Sequence, residues 1–307
     1  MQRRGRLQLP ALALVSSALL VLSLVPLASG TAQVSPGRPG FLVFQRRDDS
    51  NTELYRASLT GDDVRKLLSR PGTNESHPNW SPSGKQLVFT TGPLDSSDFD
   101  LWLVNANGTG ARPLVTGPTK DLWGQFCGDR VVFTRQLSTM NYDLWSIGLG
   151  SGEKPRRLTH DPGAELYASC HPSGDRIAFN SSRGGQNRIW GMRLDGTGQT
   201  LLTRRQAIDA EYLANGALAY VAQSGGTLNV FRQGPGATKA IQLTFAKMPL
   251  QYRLPKGSPD GKAVYATLYD LTKKSELVQR IAPGKAITIV ENGSAGTVQP
   301  RPAGARR

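Results

Sequence analysis

The sequence is poor in the residues that build metal centres and redox sites. Two cysteines and three histidines occur in 307 residues, with no Cys-x-x-Cys pair and no His-Glu-x-x-His run, which excludes the common zinc spacings. No Gly-x-Ser-x-Gly elbow is present either. The Gly-rich stretch over 148–157 places Lys154 wrongly for a phosphate loop and reads as a hairpin turn. Long apolar runs are confined to the start of the chain. There a charged hexapeptide precedes an apolar run from Leu12 to Leu27 and small residues over 28–32, the layout of an export signal or of an uncleaved anchor. No cysteine follows that run, which argues against a lipid-anchored product, and Arg3-Arg4 alone is a weak twin-arginine signal.

Acidic residues are also scarce, 23 against 37 Lys and Arg, for a formal charge of +14. Residues 1–32 carry Arg3, Arg4 and Arg6 and no acid, so their removal leaves +11. An exported chain rarely meets nucleic acid, which is therefore excluded as the partner. Anionic envelope polymers or lipid headgroups suit the charge better. Much of it flanks the last strand of successive repeats, at Arg65-Lys66, Arg112, Arg156-Arg157 and Arg204-Arg205, where charge on a sheet edge blocks edge-to-edge pairing. Cys127 and Cys170 fall at different points of their repeats, one in a turn and one in a strand, so the reading is two unpaired thiols.

Turn formers are abundant, with 34 Gly and 20 Pro, which favours strands and turns over helices. Short apolar strands end at Phe44, Phe89, Phe133, Phe179, Tyr220 and Tyr265, in steps of 45, 44, 46, 41 and 45 residues. A period in the forties with several short strands per unit marks a propeller blade. In the second unit "ESHPNW" is a first strand, Pro82-Ser83-Gly84 reverses the chain into "KQLVFTT", "DLWLVN" follows and "ARPLVT" closes the unit. Trp102, Trp145 and Trp190 recur on third strands and read as packing between blades. Trp80 is expected to fill the same kind of space. The tail "GTVQPRP" looks like a first strand, with Pro300 at the place of Pro78, while the first unit begins at its second strand. The tail should therefore complete blade one.

"PNWSPSGKQLVF", "CHPSGDRIAF" and "GSPDGKAVY", with "IWGMRLDGTGQTLLT", resemble the WD40-like repeats of the TolB propeller family. The resemblance spans about Gly40 to Pro300. It implies an all-β fold, a six-bladed β-propeller of four-stranded antiparallel blades over residues 33–300, preceded by a signal or anchor over 1–32 and followed by a basic tail over 301–307. The separate α/β domain that TolB carries ahead of its propeller has no room here.

Function is legible only in outline. The favoured reading is an exported, monomeric, non-enzymatic propeller, periplasmic or extracellular, that binds an envelope protein or peptide. An anionic envelope polymer is a further possible partner, and the alternative is a lyase or hydrolase propeller acting on an envelope or extracellular polymer. His77 and His171 fall near the channel two blades apart and read as strand-end residues, with a shared metal as the sharper reading. Glu75, Asp121, Glu165 and Asp209 lie at or near one offset before successive corners. They are the candidate metal site, a ring of acids at a channel mouth suited to Ca²⁺, against a reading as solvated loop acids.

Overall fold

The computed structural model describes residues 38–48, 51–282 and 285–301. The expected leader, and the tail beyond Arg301, lie outside the described residues. Among the described residues, no helix is long and apolar enough to cross a membrane.

Six four-stranded antiparallel sheets make the six blades. The inner strands are Ser294–Arg301 in blade one, Thr73–Trp80 in blade two, Asp121–Cys127 in blade three, Glu165–Cys170 in blade four, Ile208–Tyr212 in blade five and Leu250–Gly257 in blade six. Each inner strand packs beside the inner strands of the next and the previous blade, and this ring closes from blade six through blade one to blade two. Blade one is built from both ends of the chain. Its second strand, Arg38–Asp48, pairs antiparallel with Ser294–Arg301, from Arg38 opposite Arg301 to Gln45 opposite Ser294. The expected closure is therefore observed, and all six blades are complete between residues 38 and 301.

Second strands carry the core. Leu87, Val88 and Phe89 are all fully buried, as are Val131, Val132 and Phe133, because neighbouring blades cover both faces of each sheet, and so these strands read as continuous apolar runs. The buried apolar side chains form six clusters, each drawing on two adjacent blades. Trp80 joins Val43, Leu54 and Leu68 of blade one to Leu87 and Phe89 of blade two, as expected. Trp102, Trp145 and Trp190 pack against such clusters but stay half-buried, each covered by an arginine, Arg70 at 3.7 Å, Arg135 at 4.7 Å and Arg183 at 4.5 Å from the ring centre.

The recurring Leu-Thr has a physical cause. Thr159, Thr203 and Thr244 each accept, through Oγ1, the backbone N–H of a third-strand residue, Leu144, Ile189 and Val230, at 2.9–3.0 Å. The threonine thus ties the linker to the start of the third strand. Linkers between blades and turns from second to third strand share one face of the ring, here the linker face. The Pro-Ser-Gly type turns from first to second strand lie on the opposite corner face.

Two alignments need correction. In blade six Lys256 stands opposite Tyr265, as Asn79 stands opposite Val88, so Ala266 and not Tyr265 matches Phe89. In blade one Val43 faces Thr297 as Val88 faces Asn79, which puts Pro300 at the place of Pro82 and not of Pro78.

Candidate functional site

The ladder of blade one skips Ala295-Gly296, and the other five inner strands share this irregularity. Their ladders skip His77-Pro78, Trp123-Gly124, Tyr167-Ala168, Asp209-Ala210 and Leu254-Pro255. The first residue of each of these five pairs has φ between 51° and 55°, a left-handed conformation costing roughly 1 kcal/mol or more in a residue with a side chain. Such a bulge re-aims a side chain, and it frees Pro78 and Pro255 from supplying a ladder N–H. His77, Trp123, Tyr167, Asp209 and Leu254 accordingly line one cavity of about 40 Å³ in the channel. Bulge N–H groups find acceptors on the preceding blade: His77 donates to Gln45 Oε1 at 2.8 Å, Trp123 to Thr90 Oγ1 at 3.1 Å and Leu254 to Asp209 Oδ2 at 3.1 Å.

The channel wall is aromatic on one side. Trp123 stacks on Tyr167 with centroids 4.0 Å apart and meets His77 edge-on at 6.0 Å. Burial, helped by the charge of Lys256, lowers His77 to about 4, so its imidazole is neutral at physiological pH. His77 Nδ1, Trp123 Nε1 and Gln125 Oε1 have no hydrogen-bond partner among the described residues. Toward the corner face the channel opens into a wider mouth of about 140 Å³, sharing Asn79 and Gln125 with the inner cavity and lined by Trp80, Pro82, His171, Tyr212, Pro259 and Val298 among others. Lys256 and Glu211 pair at 3.1 Å, and Glu211 also accepts Ser169 Oγ at 3.0 Å.

The inner strands of blades three and four are joined by a disulfide, Cys127–Cys170, with Cα atoms 5.2 Å apart. This corrects the expectation of two thiols. Neither cysteine lies in a turn: both close inner strands that pack side by side, so positions one residue apart in the repeat come within bonding reach.

The four acids do not form the expected ring. Glu75, Asp121 and Glu165 share an offset and are fully buried, while Asp209 sits at the bulge position two residues on. Asp121 receives a bidentate contact from Arg135 at 2.7 and 2.8 Å. Glu165 binds Arg183 at 2.5 Å and Ser181 at 2.7 Å, and Asp209 binds Arg253 at 2.7 Å. Burial raises Asp121 and Glu165 while their arginines oppose it. Glu75 has no arginine in contact. It accepts Thr73 Oγ1 at 2.5 Å, and burial raises it to about 7. Among the described residues, no three His, Cys, Asp or Glu side chains are grouped to hold a metal ion. Trp123 and Tyr167 escaped the sequence reading, because nothing in it marks a left-handed aromatic residue; their place two residues after Asp121 and Glu165 is the one signal.

Among solved structures, TolB from Acinetobacter baumannii matches 85% of this chain and 67% of its own length, with a TM-score of 0.66 and 18% identity. A putative TolB from Agrobacterium tumefaciens matches 84% and 91%, with a TM-score of 0.67 and 17% identity. The chain is a TolB-like six-bladed β-propeller. No family model matches it. In sequence, the TolB-like ring is 32% identical over 154 residues to an uncharacterized protein of Agrobacterium fabrum, and 28% identical over 146 residues to the Tol-Pal system protein TolB of Nitratidesulfovibrio vulgaris. Those matches span 51% and 32% of the two relatives and about half of this chain. A puromycin-hydrolyzing peptidase of Mycobacterium tuberculosis shares the fold over 47% of its length, with a TM-score of 0.55 and 13% identity.

Proposed function

We propose that this chain is an exported, non-catalytic scaffold whose corner-face mouth holds a peptide or loop of an envelope protein. The observation that carries the reading is the mouth itself, a concavity walled by Trp80, Tyr212, Pro82 and Pro259 that leads into a channel with three unpartnered polar atoms. Rigid apolar walls with a few convergent polar groups are how a site anchors one inserted segment. The weak likeness to a Tol-Pal system protein supports an envelope role.

One constellation at the mouth invites a catalytic reading and resists it. His171 Nδ1 lies 2.5 Å from Ser173 Oγ, and Ser173 Oγ also contacts Asp175. In a hydrolytic triad the imidazole stands between acid and hydroxyl and takes the proton of the nucleophile. Here the serine stands in the middle, all three residues belong to one corner turn, and the network braces that turn.

A photo-crosslinking amino acid placed at Pro259, in the full chain expressed with its own leader, tests the reading. The expected result is a discrete envelope-protein adduct from Pro259 and none from Lys154 on an outer turn. The same adducts from both positions, or none from Pro259, would overturn it.

A further inference from the structure

The linker face carries large apolar side chains that stay exposed. Phe245 is 75% exposed and Met248 59%, both on the linker from blade five to blade six, and Leu271 is exposed on the neighbouring turn of blade six. This backbone is braced. Ala246 donates its N–H to Asn229 Oδ1 at 2.8 Å and accepts from Asn229 Nδ2 at 3.2 Å. Thr244 Oγ1 bonds the same Asn229, Lys247 to Leu250 closes a turn at 2.9 Å, and Leu271 donates to Pro249 O at 3.0 Å. Phe245 follows the closing Leu-Thr where blades three and four carry His160 and Arg204. The slot is polar in those two blades and aromatic here.

Two further features indicate what covers this patch. Exposed Lys247, Lys273 and Lys274 interleave with the three apolar residues, and Arg204 and Arg205 stand on the preceding linker. Across the ring, the turns of blades two and three raise Leu94 and Met140, the latter 79% exposed, on the same face. A small partner seated on one patch leaves the other bare, whereas a flat apolar layer with an anionic surface meets both. Aromatic and aliphatic tips among lysines are the chemistry of interfacial membrane binding.

We propose that the linker face docks on an anionic phospholipid bilayer, with Phe245, Met248 and Leu271 inserted at the headgroup boundary and Lys247, Lys273 and Lys274 on the phosphates. The inference stands apart from the reading of the mouth, which opens on the other face.

Co-sedimentation of residues 33–307, whose six blades close without the leader, is the test. The probes are vesicles of phosphatidylcholine alone and with one quarter phosphatidylglycerol. The expected result is binding only to the anionic vesicles, weakened by raised salt. It should fall at least about fivefold in a Phe245→Ser/Met248→Ser variant, equally in a Lys247→Ser/Lys273→Ser/Lys274→Ser variant, and not in a corner-face Lys154→Ser/Arg156→Ser variant. Each variant is to show the wild-type melting transition. Absence of binding, equal binding to neutral vesicles, or binding that all the variants retain would overturn the proposal. So would self-association in light scattering that the Phe245→Ser/Met248→Ser variant abolishes, since a second copy would then be the occupant.

Discussion

Burial with no arginine bonded to it, Arg70 acting through its charge alone, sets Glu75 apart from Asp121 and Glu165. Its folded value of about 7 lies above the usual 4.5, so the folded state holds the proton more tightly than the unfolded state. That contribution to stability is full below about pH 4.5 and is lost as pH rises through about 7. Glu75→Gln should therefore raise the melting temperature at about pH 8 and change it little at about pH 4.5; a variant that melts lower at both would sink the assignment. Arg135 behaves in the opposite way. Its removal strands the buried Asp121 carboxylate, so Arg135→Ala should cost roughly 3 kcal/mol at neutral pH, and less at acid pH, because burial pushes the Asp121 carboxyl up and favours its neutral form. Chemical denaturation at the two pH values measures both. Because arginines already meet Asp121, Glu165 and Asp209, added Ca²⁺ is expected to leave the melting temperature unchanged, and a rise of several degrees would restore the acidic ring.

At the scale of strands, blades three and four meet through a stack and a covalent bond. Cys127 and Cys170 are 43 residues apart, and closing a loop of that length in the unfolded chain contributes on the order of 4 kcal/mol. Reduction, or a double Cys→Ala replacement, should lower stability by up to that amount while leaving the far-ultraviolet dichroism of a β-protein; no change on reduction would mean that the bond does not form. The disulfide also shows what local sequence conceals. The corner Pro82-Ser83-Gly84, the apolar second strands and the Leu-Thr closures are short-range signals, each with its own turn or cap chemistry, and they were enough to lay out the blades. Spacing along the chain does not report that the ends of two neighbouring inner strands come within 5.2 Å at Cα, so it leaves Cys127 and Cys170 unmatched. The left-handed bulge that turns Trp123 and Tyr167 to the axis recurs at one place in five inner strands whatever residue stands there, and local preference opposes it. A slip of one residue misplaced Tyr265, because alternation carries only the side of the sheet and both sides of a second strand are apolar here. Likewise Glu75, Asp121 and Glu165 show as a repeated offset, but Arg135 stands in a second strand and Arg183 in the turn beyond one, so spacing does not pair them with Asp121 and Glu165.

For the molecule as a whole, the seam in blade one decides whether there is a ring. Truncation before Ser294 removes the strand that pairs with Arg38–Asp48 and exposes an apolar edge, so the shortened chain should aggregate; a soluble monomer with an unchanged melting curve would show that closure is dispensable. The same seam fixes how the ring responds to force. Arg38 and Arg301 stand opposite one another, and the pairing runs inward from them to Gln45 and Ser294. A pull applied to the two ends of the described chain acts across these strands and not along them, so the ladder bonds bear load one after another instead of together. Tethered by both ends, the molecule would open as a zipper at low force, starting with its first blade, while a pull between turns on opposite sides of the ring would meet whole blades loaded in parallel.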